Sequence, residues 1–186
     1  MTIRTATDHD IPKLRHLISE SARRLSVGYY STEQIEACIE EVFGVDTQLI
    51  TDGSYYVIEV DGELVAAGGW SARKTLYGGD QLKSGPDPLL NPQIDAARIR
   101  AFFVHPDWSR RGLARQIYNY CSDAACAAGF RNFELMATRP GEPLYTALGF
   151  TAIERVVVRL GSDVEVPFVR MGRSIEPLAD RSVVAG

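Results

Sequence analysis

The sequence has 186 residues, of which 45% are hydrophobic, and a formal net charge of −4 at pH 7. This composition predicts one globular domain with a sizeable core, and it excludes a broadly basic nucleic-acid-binding protein. No run approaches the roughly 18 apolar residues that a membrane span needs, and the charged N-terminal stretch is unlike a secretory signal. The three cysteines form no metal-binding or disulfide pattern, so we expect a cytoplasmic protein without a structural metal.

The first third of the chain predicts one strand followed by two helices. After a short β-rich stretch, Asp10 and Pro12 mark the start of a helix. Apolar residues at spacings of three and four extend that helix over residues 11–25. Ser31 opens a second helix, because Ser31 and Gln34 have the spacing of a capping box.

The middle of the chain predicts a β-hairpin and then a long connection. Two β-rich runs flank Asp61 and Gly62, a pair suited to the type I′ turn between antiparallel strands. The connection over residues 72–96 is rich in glycine and proline. A connection of this length inside a compact domain is uncommon and often functional, so we expect it near the site of a substrate.

The second half of the chain predicts alternating strands and helices. A strand at 98–104 leads into the strongest helix of the chain, which Gly129 terminates. A further strand follows, and then a short helix closed by Gly149. A strand–helix–strand crossover is right-handed and makes its two strands parallel, so the unit over 98–137 predicts one parallel pair.

The element order therefore predicts an α/β protein with a mixed sheet. We expect a single domain over residues 1–173 and a C-terminal tail over 174–186. The two terminal strands, within 152–171, are exposed enough to allow a homodimer.

The segment HPDWSRRGLARQ, residues 105–116, has the composition of an anion site. Gly112 allows close approach of the backbone to a ligand, and the first N–H groups of the following helix lack partners within it. The helix dipole adds positive charge, as do Arg110, Arg111 and Arg115. Together these features suit a phosphate or pyrophosphate. The alternative interpretation is a glycine turn before a helix whose arginines are solvated.

The same segment resembles a family motif. The stretch from Ser109 to Ala114 follows a strand that ends in V-H-P, and it is similar to motif A of the GNAT superfamily of N-acyltransferases, which use acetyl-CoA. A later stretch, from Tyr145 to Phe150, resembles the Y-x-x-L-G-F motif of that family. Ser109 stands where the family usually has glutamine or arginine. The motif's backbone cradle needs amides, Gly112 and a small residue at Ala114, and all are present.

The resemblance implies both a fold and a reaction. The fold is α/β (α+β), with a twisted, mixed, mostly antiparallel sheet of about seven strands, about four flanking helices and a splayed parallel strand pair that holds the cofactor. The reaction is direct attack of an amine on acetyl-CoA, without a metal. Tyr145 is the implied general acid for the departing thiolate. The implied cofactor-binding residues are Phe102, Phe103, Val104, Arg110, Arg111, Gly112, Leu113, Ala114 and Arg115.

The general base and the acceptor stay open. The carboxylates that are candidates for the base, each otherwise a solvated charge, are Glu59, Asp80, Asp95 and Glu134. The strand at 98–104 has arginines where some family members carry a glutamate. For the acceptor site we select Asp80 and Trp70, which is alternatively a plain core residue. Arg73 and Tyr77 are further side chains to test there. The acceptor could be a polyamine, an amino acid, an aminoglycoside, a lysine or a peptide N-terminus.

Two further hypotheses compete with an enzyme of this kind. One is a non-catalytic acyl-CoA-binding or sensing module on the same fold. The other is a different phosphate-binding α/β protein. Binding of CoA without turnover would favour the first, and the absence of CoA binding would favour the second.

Overall fold

The structure, a computed structural model, describes residues 1–161 and 163–175. Within these ranges the chain forms seven strands and five α-helices. Their bounds are β1 Thr2–Thr5, α1 Ile11–Leu25, α2 Thr32–Glu41, α3 Thr47–Thr51, β2 Tyr55–Val60, β3 Glu63–Ser71, β4 Ala97–Val104, α4 Leu113–Ala127, β5 Asn132–Thr138, α5 Glu142–Ala147, β6 Thr151–Leu160 and β7 Val164–Ser174. None of the helices in the described ranges is long and apolar enough to cross a membrane.

All seven strands belong to one sheet, in the order β1-β2-β3-β4-β5-β7-β6. Every neighbouring pair is antiparallel except β4 and β5, which are joined through α4 and lie parallel. The predicted mixed, mostly antiparallel sheet and its single parallel crossover are confirmed. β6 lies at one edge of the sheet, and its side chains over Thr151–Arg155 are exposed.

The helix count differs from the prediction of about four, because α3 was not predicted. This helix has only five residues, which is too short to show an apolar period. The Asp46 side chain caps it by accepting a hydrogen bond from the Gln48 N–H at 3.1 Å. In contrast, α1 and α2 begin where the sequence predicts, and the Ser31–Gln34 capping box of α2 is formed in both directions.

The hairpin between β2 and β3 has the predicted turn. Asp61 and Gly62 both have positive φ, 51° and 83°, which a type I′ turn requires. Val60 and Glu63 pair across it. Because side chains alternate along the hairpin, its two faces contribute to separate cores. One face packs with α4 through Ile58, and the other packs with α1 through Val57.

Asp10 precedes α1 as predicted, but its carboxylate does not cap that helix. It instead accepts from the Thr7 N–H and pairs with both terminal nitrogens of Arg4 at 2.8 Å. The Arg4 guanidinium is the main cause that lowers the pKa of Asp10 to about 2. The ionised carboxylate therefore stabilises the attachment of β1 to α1.

Replacing Asp10 with Asn should destabilise the protein in a pH-dependent way. A carboxyl group whose folded pKa is depressed contributes stability above its unfolded pKa, near 3.9, and loses it as the pH falls toward 2. We expect Asp10→Asn to lower the free energy of unfolding by about 1–2 kcal/mol at pH 7 and by little at pH 2. Urea unfolding across this range measures the difference. A cost that is equal at both pH values would contradict the ionic origin.

The last predicted boundary shifts slightly. β7 includes Ser174, and the Ile175 N–H donates to the Arg131 carbonyl at 2.7 Å, so these two residues belong to the sheet region rather than to a tail. The remainder of the predicted tail, 176–186, lies outside the described residues.

Candidate active site

The parallel strands β4 and β5 separate soon after they begin. They pair only at Ala97 with Phe133 and at Arg98 with Glu134. Beyond Arg98, the facing edges of the two strands do not pair with each other. Their divergence opens a gap in the middle of the sheet, as the predicted splayed pair requires.

A bulge in β4 bends this strand at the gap. Gly69 pairs with Arg100 and Ala67 with Phe103, so Ala101 and Phe102 both face Gly68. Ala101 has a φ of 54°, and its carbonyl accepts a hydrogen bond from the Tyr55 hydroxyl at 3.0 Å. A Cβ on Gly68 would come within 2.7 Å of the Phe102 ring, so the bulge requires glycine at that position.

A cavity of about 240 Å³ fills the gap. Phe102, Phe103 and Val104 line it from β4, and Met136 and Thr138 line it from β5. At one end the cavity reaches Ala114 on the first turn of α4. It also reaches Tyr145 on α5. Four of the predicted cofactor residues and the predicted general acid therefore share one cavity.

The loop before α4 has free amides. Arg110 has a φ of 61° and Gly112 a φ of 78°, and such left-handed residues make successive N–H groups converge. Within the described residues, none of the N–H groups from Arg110 to Arg115 has a hydrogen-bond acceptor. Gly112 is the N-cap of α4, a 15-residue helix whose dipole adds positive potential there. These free backbone amides and the helix dipole are suited to bind an anion, and we call them the candidate anion site.

The arginines of this segment take different positions. Arg110 is exposed. Arg111 turns back onto its own loop, where it donates to the Asp107 carbonyl at 3.1 Å and lies 4.6 Å from the centre of the Trp108 ring. Arg115 donates to the Ala147 carbonyl at the end of α5. Leu113 offers its N–H to the site while its side chain is buried in the core.

Tyr145 is held in place by other aromatic rings. Phe102 and Phe150 both pack edge-to-face on it, with centroid separations of 6.2 and 5.9 Å. The residue is only 9% exposed. Its hydroxyl makes no hydrogen bond with any described residue, so the phenol keeps an unused donor. Burial raises the pKa of Tyr145, so the phenol stays protonated at neutral pH.

The four candidate bases do not line the cavity. Glu59 pairs with Arg4 at 2.7 Å, and Glu134 pairs with Arg98. Asp80 accepts from the Thr47 N–H, and Asp95 accepts from the Asn91 N–H. In the described part of the chain, no group of three or more His, Cys, Asp or Glu side chains could hold a metal ion.

Of the acceptor residues suggested by the sequence, Tyr77 lines the cavity, whereas Trp70, Arg73 and Asp80 do not. Trp70 packs edge-to-face on Phe130 at 6.1 Å, within the core that includes α4. Asp80 belongs to the long connection, and its carboxylate accepts from the N–H of Thr47, the first residue of α3. It lines a second cleft together with Arg15 and Phe43. The long connection does contribute to the main cavity, but through Leu76, Tyr77 and Gly78.

Arg100 attaches this connection to the sheet. It donates to the carbonyls of Thr75 and Gly78 at 2.8 and 2.6 Å and pairs with Asp46 at 2.8 Å. The Arg100 and Asp46 side chains are 2% and 1% exposed, and Lys83 also contacts Asp46. Burial lowers the pKa of the Arg100 guanidinium, and Asp46 opposes this effect. Arg100 thus shapes the wall of the cavity.

Several cavity residues were not singled out in the sequence. Ser21 is one, and its hydroxyl accepts the Val104 N–H at 3.3 Å. A polar residue on the otherwise apolar stripe of α1 was an available signal. Phe43 and Phe168 also line the cavity, with ring centroids 6.5 Å apart. No local pattern marks them, because they meet only through tertiary packing of α2 on β7.

A splayed sheet with free backbone amides at one end of its gap and a protonated phenol beside it is suited to an extended, phosphate-bearing ligand. The family model of the acetyltransferase (GNAT) domain matches residues 51–152. This match covers more than half of the chain, so the protein belongs to the GNAT family and is an acetyltransferase. A comparison with curated proteins gives no match.

Solved structures show the same fold. A GCN5-related N-acetyltransferase from Rhodopseudomonas palustris is similar with a TM-score of 0.69 and 18% identity, over 94% of this chain and 95% of that one. The PaiA N-acetyltransferase of Thermoplasma acidophilum, solved in complex with coenzyme A, has a TM-score of 0.61 and 14% identity, over 93% and 98%. Ribosomal-protein-alanine N-acetyltransferase from Brucella melitensis has a TM-score of 0.61 and 15% identity, over 94% and 100%.

Proposed function

We propose that this protein transfers the acetyl group of acetyl-CoA to a primary amine, with both substrates bound together. The observation that carries the proposal is the single cavity that joins the start of α4 to Tyr145. The amides from Arg110 to Arg115 suit the pyrophosphate of CoA. The unpaired edges of β4 and β5 suit the amide groups of the pantetheine arm, which would then point the thioester toward Tyr145.

The reaction needs one nucleophile and one acid. The lone pair of the amine nitrogen attacks the acetyl carbonyl carbon, and the carbon–sulfur bond then breaks. Tyr145 gives its phenolic proton to the leaving sulfur, which departs as the thiol of CoA. The nitrogen loses a proton to solvent as the amide forms, and solvent returns a proton to Tyr145. A backbone N–H near Phe102 or Val104 would stabilise the oxyanion.

The Val104 N–H is already directed into this region. Its bond to the Ser21 hydroxyl is long, at 3.3 Å. Both residues line the cavity. We infer that a carbonyl of the bound thioester ligand competes with Ser21 for this donor.

The anion site provides a prediction about binding. A Cβ on Gly112 would meet no atom within 4 Å, so Gly112→Ala should act through its φ of 78°, which costs an L-residue about 1–2 kcal/mol. Relaxation of that strain would turn the amides away from the pyrophosphate. We expect the Kd for CoA to rise about 10-fold. Titration calorimetry measures it.

Gly62→Ala is the matched control for this prediction. Gly62 also has a positive φ, 83°, and open space for a Cβ, but it lies in the β2–β3 turn. This variant should lose stability while its Kd for CoA stays unchanged. Equal binding of CoA by both variants would remove the Gly112 loop from the cofactor site.

The proposed activity is tested by CoA release. Incubation with acetyl-CoA and a panel of amines should liberate free thiol, which a thiol-reactive dye detects, and mass spectrometry should show the acetylated amine. The competing hypothesis of a non-catalytic acyl-CoA-binding module predicts acetyl-CoA binding without thiol release with any amine. The free phenol of Tyr145 in the cavity favours the enzyme.

We also propose that the protein is cytoplasmic and that it forms a homodimer. The three cysteines are all free thiols, which supports a reducing, cytoplasmic environment. A homodimer through the edge strand β6 is supported by the exposed side chains of Ile153 and Val157. Sedimentation equilibrium of the full chain tests it.

A further inference from the structure

The end of the cavity that faces the long connection is apolar and aromatic. Its side-chain walls are those of Val42, Phe43, Leu76, Tyr77, Met136 and Phe168. The Phe43 and Phe168 rings meet edge-to-face, and the Tyr77 ring lies within 25° of parallel to the Phe168 ring, at 6.3 Å. These rings come from three separate parts of the chain and surround one space. Such walls favour an apolar, ring-shaped group over a polar chain.

The charges around the cavity argue in the same direction. Among the described residues that line it there is no Asp or Glu. The lining contains one charged side chain, Arg100, and this is a cation. The carboxylate that pairs with Arg100, Asp46, is also held by Lys83. A second ammonium group on an acceptor would therefore be buried without a counter-charge, which is strongly unfavourable.

We infer that the acceptor is a monoamine with an apolar, aromatic body, such as an arylalkylamine, and not a polyamine, an aminoglycoside or a lysine in a basic peptide. This inference rests on the proposed function and specifies its substrate class. The ring occupies the aromatic end of the cavity, and the single amine points back toward Tyr145 and the thioester. The described lining has no carboxylate to pair with a second positive charge on an acceptor.

The test compares two amines at saturating acetyl-CoA, with release of CoA as the readout. The first is 2-phenylethylamine, and the second is 1,4-diaminobutane, which has a chain of similar length and a second ammonium group. We expect kcat/KM for 2-phenylethylamine to be on the order of 100-fold higher. An equal or higher kcat/KM for the diamine overturns the inference and leaves the proposed function standing. If the protein binds acetyl-CoA but releases no CoA with any amine, both the inference and the proposed function are overturned.

A charge variant tests the physical cause. Leu76 lines the cavity from a loop, so Leu76→Asp adds a carboxylate there with little risk to the core. Leu76→Asn has the same size without the charge. Relative to Leu76→Asn, the aspartate variant should raise the diamine-to-phenylethylamine ratio of kcat/KM about 10-fold. Leu89→Asp, at a 68% exposed position of the same connection, should leave the ratio unchanged. An unchanged ratio in Leu76→Asp overturns the inference.

Discussion

Replacement of Tyr145 with Phe is expected to lower kcat for acetyl transfer by about 10²–10⁴-fold, the usual contribution of a positioned general acid. The substitution removes only the hydroxyl, and the ring contacts with Phe102 and Phe150 remain. The Kd for acetyl-CoA should therefore change by less than about 3-fold, because the anion site is backbone and lies elsewhere. Steady-state kinetics with an active amine, together with calorimetry, separate these two effects.

The leaving group distinguishes an acid from a packing residue. The thiolate of a much more acidic thiol leaves without needing a proton. An acetyl thioester of such a thiol should therefore react almost equally fast with the wild-type protein and with Tyr145→Phe. A merely structural role would slow both thioesters by the same factor. That result would exclude Tyr145 as the acid.

The pH profile adds a second test of Tyr145. Burial raises the pKa of its phenol, and an acid with a raised pKa stays protonated to higher pH. An unperturbed tyrosine titrates near pH 10. The alkaline loss of kcat that arises from this residue should therefore begin above about pH 10, and it should be absent in Tyr145→Phe. The profile is measured up to the pH at which the protein unfolds.

The largest expected loss of stability comes from Arg100→Met. The variant leaves Asp46 almost fully buried with Lys83 as its remaining cation, and it removes the donors to two carbonyls of the long connection. Breaking a buried pair by removal of one partner costs about 3–5 kcal/mol, and Lys83 should keep the loss near 3 kcal/mol. Urea unfolding gives the free energy. Turnover should fall too, because the wall that contains Tyr77 loses its attachment.

Two controls show whether burial of the pair causes this loss. Arg98→Met removes an arginine from the same strand, but Glu134 retains Arg170 and is 19% exposed, so we expect a cost of about 1 kcal/mol. Adding Asp46→Asn to Arg100→Met removes the orphaned charge, and Asn still suits the N-cap of α3. The double variant should lose less free energy than the sum of the single variants. Full additivity would mean that the two residues are not coupled.

We propose that the reaction needs no dedicated carboxylate base in the cavity. The four candidate carboxylates are all engaged with other partners, and none lines the cavity. An apolar site with no carboxylate in its described lining disfavours an ammonium ion and favours the neutral amine, which is the nucleophilic form. The apolar lining without a carboxylate therefore supports both the proposed chemistry and the proposed class of acceptor.

Much of the fold and one end of the site could be predicted from local sequence. The apolar period of α1, the Ser31 capping box and the Asp61–Gly62 turn depend on neighbours within a few residues, and all three were confirmed. The anion site also follows from local sequence, because it consists of consecutive backbone amides shaped by Gly112 and by the start of a helix. A crossover through one helix sufficed to predict the parallel pair.

The aromatic end of the cavity could not be predicted from local sequence, because it is formed by the tertiary structure. Trp70 and Asp80 were selected because they lie near the long connection in sequence, but the structure places them in the core and at the start of α3. The aromatic walls instead come from three distant segments, and a short-range pattern contains no information on which rings meet. The same holds for Arg100, since whether an arginine is solvated or buried against a carboxylate depends on contacts about fifty residues away in the chain. Local sequence thus determined the elements and the free amides at the start of α4, whereas long-range packing alone decided the shape and charge of the cavity.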